Sequence, residues 1–216
     1  KSDMGELNIF CYSLNLDGCS PLGTLSQLFV NGSQMANVFQ IHLHQPHHTI
    51  GDFEGIFAYI KDNFSAGQSK PPLPGLHIFP ELFLTGYPLQ DLCLQRPFIE
   101  RYLDFLALLN KWAQEDFCPL KSGSAIAIFL GGLHYTFDAQ NYPAKIENAL
   151  FSLMPGEQLK HLYSKMLLPN YDIFDEKKYF TAGTRVANLT FAEKNIALMI
   201  CEDMWPSSSH HLNPVE

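Results

Sequence analysis

The amino-acid sequence predicts an α/β protein in which helices pack against a mixed, partly antiparallel β-sheet. From residue 35 onward, short apolar strands alternate with amphipathic helices, the pattern of strand–helix–strand units. Farther along, the helices give way to two pairs of strands joined by turns, which adds antiparallel pairing to the sheet. The composition, 46% apolar and 17% charged, is that of a globular protein.

The first elements are a strand and a helix. Residues 1–34 are mixed and turn-rich, and LNIFCYSLN within them is a possible strand. Two interpretations of 1–34 stay open, an N-terminal extension or a false start, ahead of a domain that spans 35–216. NVFQIHLHQ predicts the opening strand of that domain. GDFEGIFAYIKDNF carries apolar residues at helical spacing and predicts a helix with Asp52 as its N-cap.

A second helix lies between two buried strands. LHIF and AIAIFLGGLHY are apolar runs of strand length. Between them, FIERYLDFLALLNKWAQ predicts a helix with five apolar side chains on one face, namely Ile99, Tyr102, Leu103, Leu106 and Leu109.

Two hairpins complete the predicted elements. ENALFSLMPGEQLKHLYSK predicts two strands about a turn at Pro155 and Gly156, and RVANLTFAEKNIALMIC predicts two more strands joined at residues 192–194. The sequence shows no internal repeat and no domain linker.

Charge and cysteine content exclude several classes of function. The net charge is −8 and no stretch is rich in Lys or Arg, which argues against a nucleic-acid partner or an anionic membrane. No apolar run has the length of a membrane span, and no signal peptide is evident. The five cysteines are odd in number and form no CxxC pair, which disfavours disulfides and structural zinc and favours a reducing cytoplasm. The histidines around His42 and His44 lack a carboxylate or cysteine to complete a metal site, so we predict none.

Three apolar strands end in reactive side chains: Glu81 in HIFPELFLTGYPLQDL, Lys165 in LYSKMLLPNYDIFDEKKYF and Cys201 in MICEDMW. Taken singly, each has an ordinary interpretation, since a lone Glu or Lys is usually solvated and a lone Cys is usually a small buried apolar residue. Reactive residues at the ends of strands are also typical of an active-site edge.

Taken together, the three residues form a chemically complete set. A nucleophilic cysteine needs a proton acceptor, for which Glu81 is the candidate. A tetrahedral intermediate needs positive partners for its oxyanion, and Lys165 and the backbone N–H of Glu202 are candidates. Carboxylates at Glu202 and Asp203 tend to raise the pKa of the neighbouring thiol, an effect that weakens if their side chains point away from it.

The motifs FPELFLTGYPLQDL, KMLLPNYDIFDEKKYF and ICEDMW, in this order, resemble the nitrilase (carbon–nitrogen hydrolase) superfamily. The resemblance is strongest to its branch of glutaminase domains from glutamine-dependent NAD⁺ synthetases, and it extends over about residues 35–206. HTIGDFEG also resembles that branch's first strand-to-helix connection, with Gln45 preceding Gly51 at the expected distance.

The resemblance implies an αββα sandwich and a catalytic triad of Glu81, Lys165 and Cys201. It further implies that Tyr171 and Phe174 hold the substrate, L-glutamine, whose side-chain amide is hydrolysed through a cysteine thioester. The ammonia then passes to a synthetase domain that uses ATP and Mg²⁺. No cofactor is expected in this chain itself. Members of the family associate with one another, which implies a homo-oligomer.

Some features depart from the family pattern. His47 and His48 replace the usual Asn and Pro. The chain ends soon after Cys201, where the family's domain normally continues, so we expect a C-terminally truncated domain. Two other functions stay open: a stand-alone amidase or carbamoylase of the same superfamily, and a non-catalytic assembly module with the same fold. For Tyr171 and Phe174, simple packing is the alternative role.

Overall fold

The structure is a computed structural model that describes residues 7–11, 40–68, 72–117 and 125–205. These residues form a five-stranded sheet in the order β2-β3-β4-β5-β6, a three-stranded sheet in the order β1-β8-β7, and two α-helices. The strands are β1 (Leu7–Cys11), β2 (Ile41–Leu43), β3 (Gly75–Ile78), β4 (Ile126–Phe137), β5 (Pro143–Leu153), β6 (Lys160–Ser164), β7 (Ala187–Phe191) and β8 (Lys194–Ile200), and the helices are α1 (Phe53–Phe64) and α2 (Arg96–Glu115).

The five-stranded sheet is mixed, as the sequence predicts. Strands β2, β3 and β4 are parallel, and β4, β5 and β6 are antiparallel. The predicted hairpin between β5 and β6 is confirmed, and Gly156 in its turn has a φ of +79°, a conformation that glycine adopts without steric cost. The hairpin between β7 and β8 is confirmed too; its turn places Ala192 and Glu193 at φ values of 47° and 63°.

The two helices cover one face of the five-stranded sheet. The predicted N-cap of α1 is confirmed, because Asp52 Oδ1 accepts a hydrogen bond from the Gly55 N–H at 3.0 Å. For α2 the predicted face was partly wrong: Leu103 is 38% exposed. The buried face is turned toward Phe105 and away from Leu103, because the layer beneath the helix decides which side is covered. The buried residues of α2 are Phe98, Ile99, Tyr102, Phe105, Leu109, Trp112 and Ala113.

The opposite face of the five-stranded sheet packs against the three-stranded sheet. Side chains of β4 alternate between the two layers, with Ile128 and Leu130 toward the helices and Ala127 and Phe129 toward the other sheet. From the three-stranded sheet, Leu198 and its neighbours in β8 complete this second core. The described residues therefore form three layers, which are the helices, the five-stranded sheet and the three-stranded sheet. A second helical layer is not formed by the described part of the chain.

Strand β1 lies within residues 1–34, the segment ahead of the predicted domain. Leu7–Cys11 pairs in parallel with β8, so the possible strand in LNIFCYSLN is present and belongs to the three-stranded sheet. The domain boundary near residue 35 stays a prediction. Neither α1 nor α2, the helices of the described residues, has the length and apolar character needed to cross a membrane.

Candidate active site

The three residues selected from the sequence each follow a strand at one end of the sandwich. Glu81 lies in the turn after β3, Lys165 follows β6 directly, and Cys201 follows β8. Lys165 Nζ donates a hydrogen bond to Glu81 Oε1 at 2.8 Å, and both side chains are buried. The thiol of Cys201 lies close enough to feel the charges of both groups. The structure thus brings the three residues together, although their catalytic roles remain proposals.

Glu176 is a fourth charged residue at this site. Lys165 Nζ donates to Glu176 Oε1 at 3.0 Å and to Oε2 at 2.9 Å. Burial disfavours the charged ammonium, but the two carboxylates outweigh burial and raise the pKa of Lys165 above its usual range. Burial also raises the pKa of Glu176 to about 7, with Lys165 opposing the shift and the charge of Glu81 adding to it. The buried cluster therefore carries one carboxylate more than it has ammonium groups.

Sequence reasoning did not select Glu176. It lies inside the quoted motif KMLLPNYDIFDEKKYF, but Asp175, Lys177 and Lys178 around it suggest a solvated run of charges. In the short 3₁₀ helix Glu176–Lys178, only Glu176 is buried. Its position within a recognised motif was the one signal that set it apart.

Asn148 was missed as well. It lies in β5 among apolar residues and is 1% exposed. Its Nδ2 donates a hydrogen bond of 2.6 Å to Glu81 Oε1, the oxygen that also accepts from Lys165. The available signal was an amide beside the apolar stretch Ala149, Leu150 and Phe151, because a buried amide needs a partner.

Cys201 occupies a strained turn. It opens a 3₁₀ helix directly after β8 and has a φ of 45°, in the left-handed region that non-glycine residues rarely adopt. Such strain costs stability and is common at functional sites. Burial, together with the charge of Glu81, raises the pKa of the Cys201 thiol to about 11, and Lys165 opposes the shift. The resting group is therefore a thiol, and a thiol with this pKa needs a base to act as a nucleophile.

The two carboxylates that follow Cys201 differ in their effect on it. Glu202 adds a small contribution to the raised pKa of the thiol. The Asp203 side chain is instead turned toward hydrogen-bond donors around it, so it stabilises the turn. Asp203 accepts from Met166 N at 3.0 Å, Leu167 N at 2.7 Å, Tyr163 Oη at 2.8 Å and Ile200 N at 3.1 Å.

Tyr171 and Phe174 lie on the loop between Lys165 and Glu176. Their rings meet edge to face with centroids 5.6 Å apart, and Tyr171 Oη donates to Glu202 Oε2 at 2.8 Å. Tyr171 is 51% exposed, so it is not a core residue. Tyr87 also lies near the charged groups: burial, then the charges of Glu176 and Glu81, raise the pKa of its phenol. These rings are candidates for contact with a substrate.

The described residues contain no group of three or more His, Cys, Asp or Glu side chains arranged to hold a metal ion. Three buried histidines, His42 in β2, His44 just after it and His77 in β3, contact one another. The rings of His42 and His77 stack with centroids 4.4 Å apart, and His44 Nε2 and His77 Nδ1 are 2.9 Å apart.

The layered sheets and the strand-end site place this protein in the class of nitrilase-like α/β sandwiches. More specifically, the chain belongs to the carbon–nitrogen hydrolase family, whose profile it matches over residues 45–212.

Several curated proteins and solved structures are similar to this chain. The glutamine-dependent NAD(+) synthetase of Thermotoga maritima is 31% identical over 177 residues, covering 82% of this chain and 26% of that protein. The Acinetobacter baylyi protein of the same name is 34% identical over 140 residues, covering 65% and 23%. The chain thus spans about a quarter of the length of these relatives. The crystal structure of an amidase from Nesterenkonia sp. has the same fold, with a TM-score of 0.54 and 20% identity over 76% of this chain and 55% of that one.

Proposed function

We propose that this chain is the glutaminase portion of a glutamine-dependent NAD⁺ synthetase and hydrolyses the side-chain amide of L-glutamine. Membership of the carbon–nitrogen hydrolase family and the names of its relatives support this proposal. The single observation that carries it is the buried hydrogen bond between Lys165 and Glu81, within electrostatic range of the Cys201 thiol.

In the first step, Cys201 Sγ attacks the carbon of the substrate carboxamide. Because the thiol pKa is about 11, little thiolate exists at neutral pH, so the proton has to pass to a base during attack. Glu81 is that base. Lys165 and the backbone N–H of Glu202 stabilise the negative charge that forms on the substrate oxygen.

In the second step, the tetrahedral intermediate collapses. Glu81 returns its proton to the leaving nitrogen, ammonia departs, and a thioester joins the substrate's acyl carbon to Cys201. Glu81 then takes a proton from a water molecule, which attacks the thioester. Collapse of the second intermediate releases glutamate and restores the thiol.

Substrate recognition is assigned to residues at the solvent-exposed edge of the site. Tyr171 is exposed and Phe174 is half-buried, and their rings pack edge to face. Tyr171 Oη donates a hydrogen bond to the carboxylate of Glu202, the residue after Cys201. A fixed carboxylate at the rim complements the α-ammonium group of an amino-acid substrate. We therefore assign substrate binding to Tyr171 and Phe174, with Glu202 contributing charge.

In the whole protein, ammonia passes to a synthetase domain that binds ATP and Mg²⁺ and completes NAD⁺. We further propose a cytoplasmic homo-oligomer with no nucleic-acid or membrane partner. The curated relatives, which are about four times longer than the matched segment, support the presence of a second domain.

The test is an ammonia-release assay on glutamine, asparagine and simple amides. We expect glutamine to be preferred, and Cys201→Ala to lower turnover by about 10⁴-fold or more while the circular dichroism spectrum stays unchanged. Preference for a simple amide would instead indicate a stand-alone amidase. Turnover that persists in Cys201→Ala would reject the assigned nucleophile, and a wild-type protein without turnover would indicate an assembly module.

A further inference from the structure

Asn148 contacts both charged partners of the proposed nucleophile. Its side-chain Nδ2 donates to Glu81 Oε1 at 2.6 Å, and its backbone carbonyl accepts from the Lys165 N–H at 2.8 Å. The orientation of the amide follows from chemistry, since an ionised carboxylate only accepts hydrogen bonds and the NH₂ group must therefore face Glu81. One residue thus contacts both the carboxylate of Glu81 and the backbone of Lys165.

The two oxygens of Glu81 are not equivalent. Oε1 accepts hydrogen bonds from both Asn148 Nδ2 and Lys165 Nζ. Within residues 40–68, 72–117 and 125–205, Oε2 receives no hydrogen bond. Two donors on one oxygen lower its capacity to take up a further proton, so the other oxygen becomes the basic one.

Stability alone does not explain an asparagine at position 148. Its Oδ1 is buried and has no hydrogen-bond partner among the described residues. An unpaired buried acceptor costs free energy, and an apolar residue in this strand would avoid that cost. This chain carries an amide here in spite of that penalty, and the NH₂ group of the amide contacts the Glu81 carboxylate.

We propose that Asn148 is a positioning residue that occupies Oε1 of Glu81 and thereby reserves Oε2 for the proton of Cys201. The same oxygen then serves the leaving ammonia and the attacking water. This inference rests on the proposed function, because it assigns the oxygen through which Glu81 acts as base.

A double-mutant cycle on the alkylation of Cys201 tests the proposal without requiring glutamine turnover. The rate of iodoacetamide addition at Cys201, followed by mass spectrometry at one pH, is compared in wild type, Asn148→Ala, Glu81→Ala and the double variant. We expect Asn148→Ala to slow alkylation about 10- to 100-fold when Glu81 is present, as for a lost hydrogen bond to a charged group. In the Glu81→Ala background the same change should alter the rate by less than about threefold.

Two further variants control for effects on folding. Ser152→Ala changes another buried polar residue of β5 and should leave the alkylation rate unchanged. Asn148→Asp keeps the shape of the side chain and places a second carboxylate against Oε1. We expect it to lower kcat for glutamine with little change in KM, and to move the acidic limb of the pH–rate profile upward by about one pH unit or more.

Equal effects of Asn148→Ala with and without Glu81, or wild-type alkylation in a folded Asn148→Ala protein, would overturn the positioning role. If Asn148→Ala does not fold, an unmoved pH profile in Asn148→Asp overturns it. A wild-type protein that couples Asn148 to Glu81 in alkylation but releases no ammonia from glutamine would reject the proposed function and retain the positioning role.

Discussion

Lys165 Nζ donates hydrogen bonds to both carboxylate oxygens of Glu176, at 3.0 and 2.9 Å, in a site where neither side chain reaches bulk water. The ammonium is already paired with Glu81, so Glu176, whose pKa is about 7, adds a second negative charge to a buried cluster when it is ionised. This extra charge holds Lys165 in place, and it also acts against formation of the Cys201 thiolate. The two effects can be separated by experiment.

Replacement of Glu176 by Gln should have opposite effects on turnover and on thiol reactivity. Glutamine turnover should fall about 10- to 100-fold, because Lys165 loses a charged partner. Alkylation of Cys201 should shift to lower pH, because a negative charge that raises the thiol pKa is removed. Ammonia release and iodoacetamide rates across pH measure the two effects. Asp175→Asn, at the exposed neighbouring carboxylate, is the control, and a parallel fall in both rates would contradict the prediction.

Replacement of Lys165 by Met should destabilise the fold in a pH-dependent way. Glu81 and Glu176 would then be buried without a cation, which costs about 3–5 kcal/mol. The native state can reduce this cost by binding protons, so the loss should be larger at pH 8 than at pH 5. Urea unfolding at the two pH values measures it. The control is Lys160→Met, at the exposed start of β6, whose stability loss should not depend on pH. An equal loss at both pH values in Lys165→Met would contradict the coupling of Lys165 to the two carboxylates.

Asp203 joins the turn of Cys201 to the residues that follow Lys165. Asp203→Asn should lower the free energy of unfolding by about 1–3 kcal/mol, because an NH₂ group cannot accept from the buried donors around it. Turnover should fall as well, since the nucleophile and the ammonium lose their common anchor. Tyr163→Phe removes one donor without leaving an unpaired backbone group and should cost about 1 kcal/mol. Denaturant unfolding and kcat measure both variants, and equal effects would refute the anchoring role.

The buried histidines predict loss of stability in acid. Burial, together with the charges of neighbouring histidines, lowers the pKa of His44 to about 3, and burial lowers that of His77 to about 4. The unfolded chain binds protons at these residues below about pH 6.5, whereas the folded chain does not until much lower pH. Stability is therefore complete above that pH and declines as the pH falls toward 4.

The contribution of His44 can be isolated by substitution. It should amount to about 2 kcal/mol of the difference in unfolding free energy between pH 7 and pH 5, so His44→Phe should reduce that difference accordingly. Unfolding curves at the two pH values provide the measurement, with the exposed His47→Gln as a control. A pH dependence unchanged by His44→Phe would show that other groups cause it.

Much of the fold could be predicted because local patterns determine it. The Asp52 cap and both hairpins follow from residue types next to one another in the chain. The buried face of α2 was harder to predict, since Leu103 is as apolar as the buried Leu109 and only the layer beneath the helix decides which side is covered.

The candidate site was partly predictable for a similar reason. Glu81, Lys165 and Cys201 are noticeable because each follows an apolar strand. Asn148 and Glu176 became evident only in three dimensions, because their burial depends on strands and loops that are distant in sequence. No local sequence pattern predicts which polar residue will be buried.

The site is divided between the two sheets. Glu81 and Lys165 follow strands of the five-stranded sheet, whereas Cys201 follows a strand of the three-stranded one. The proposed base and the proposed nucleophile therefore belong to different sheets. The apolar packing between the sheets, with Phe129 on one side and Leu198 on the other, and the hydrogen bonds of Asp203 hold them in register. We therefore expect the catalytic rate to depend on how closely the two sheets pack. A small shift of one sheet against the other would lower the rate while each sheet stayed folded.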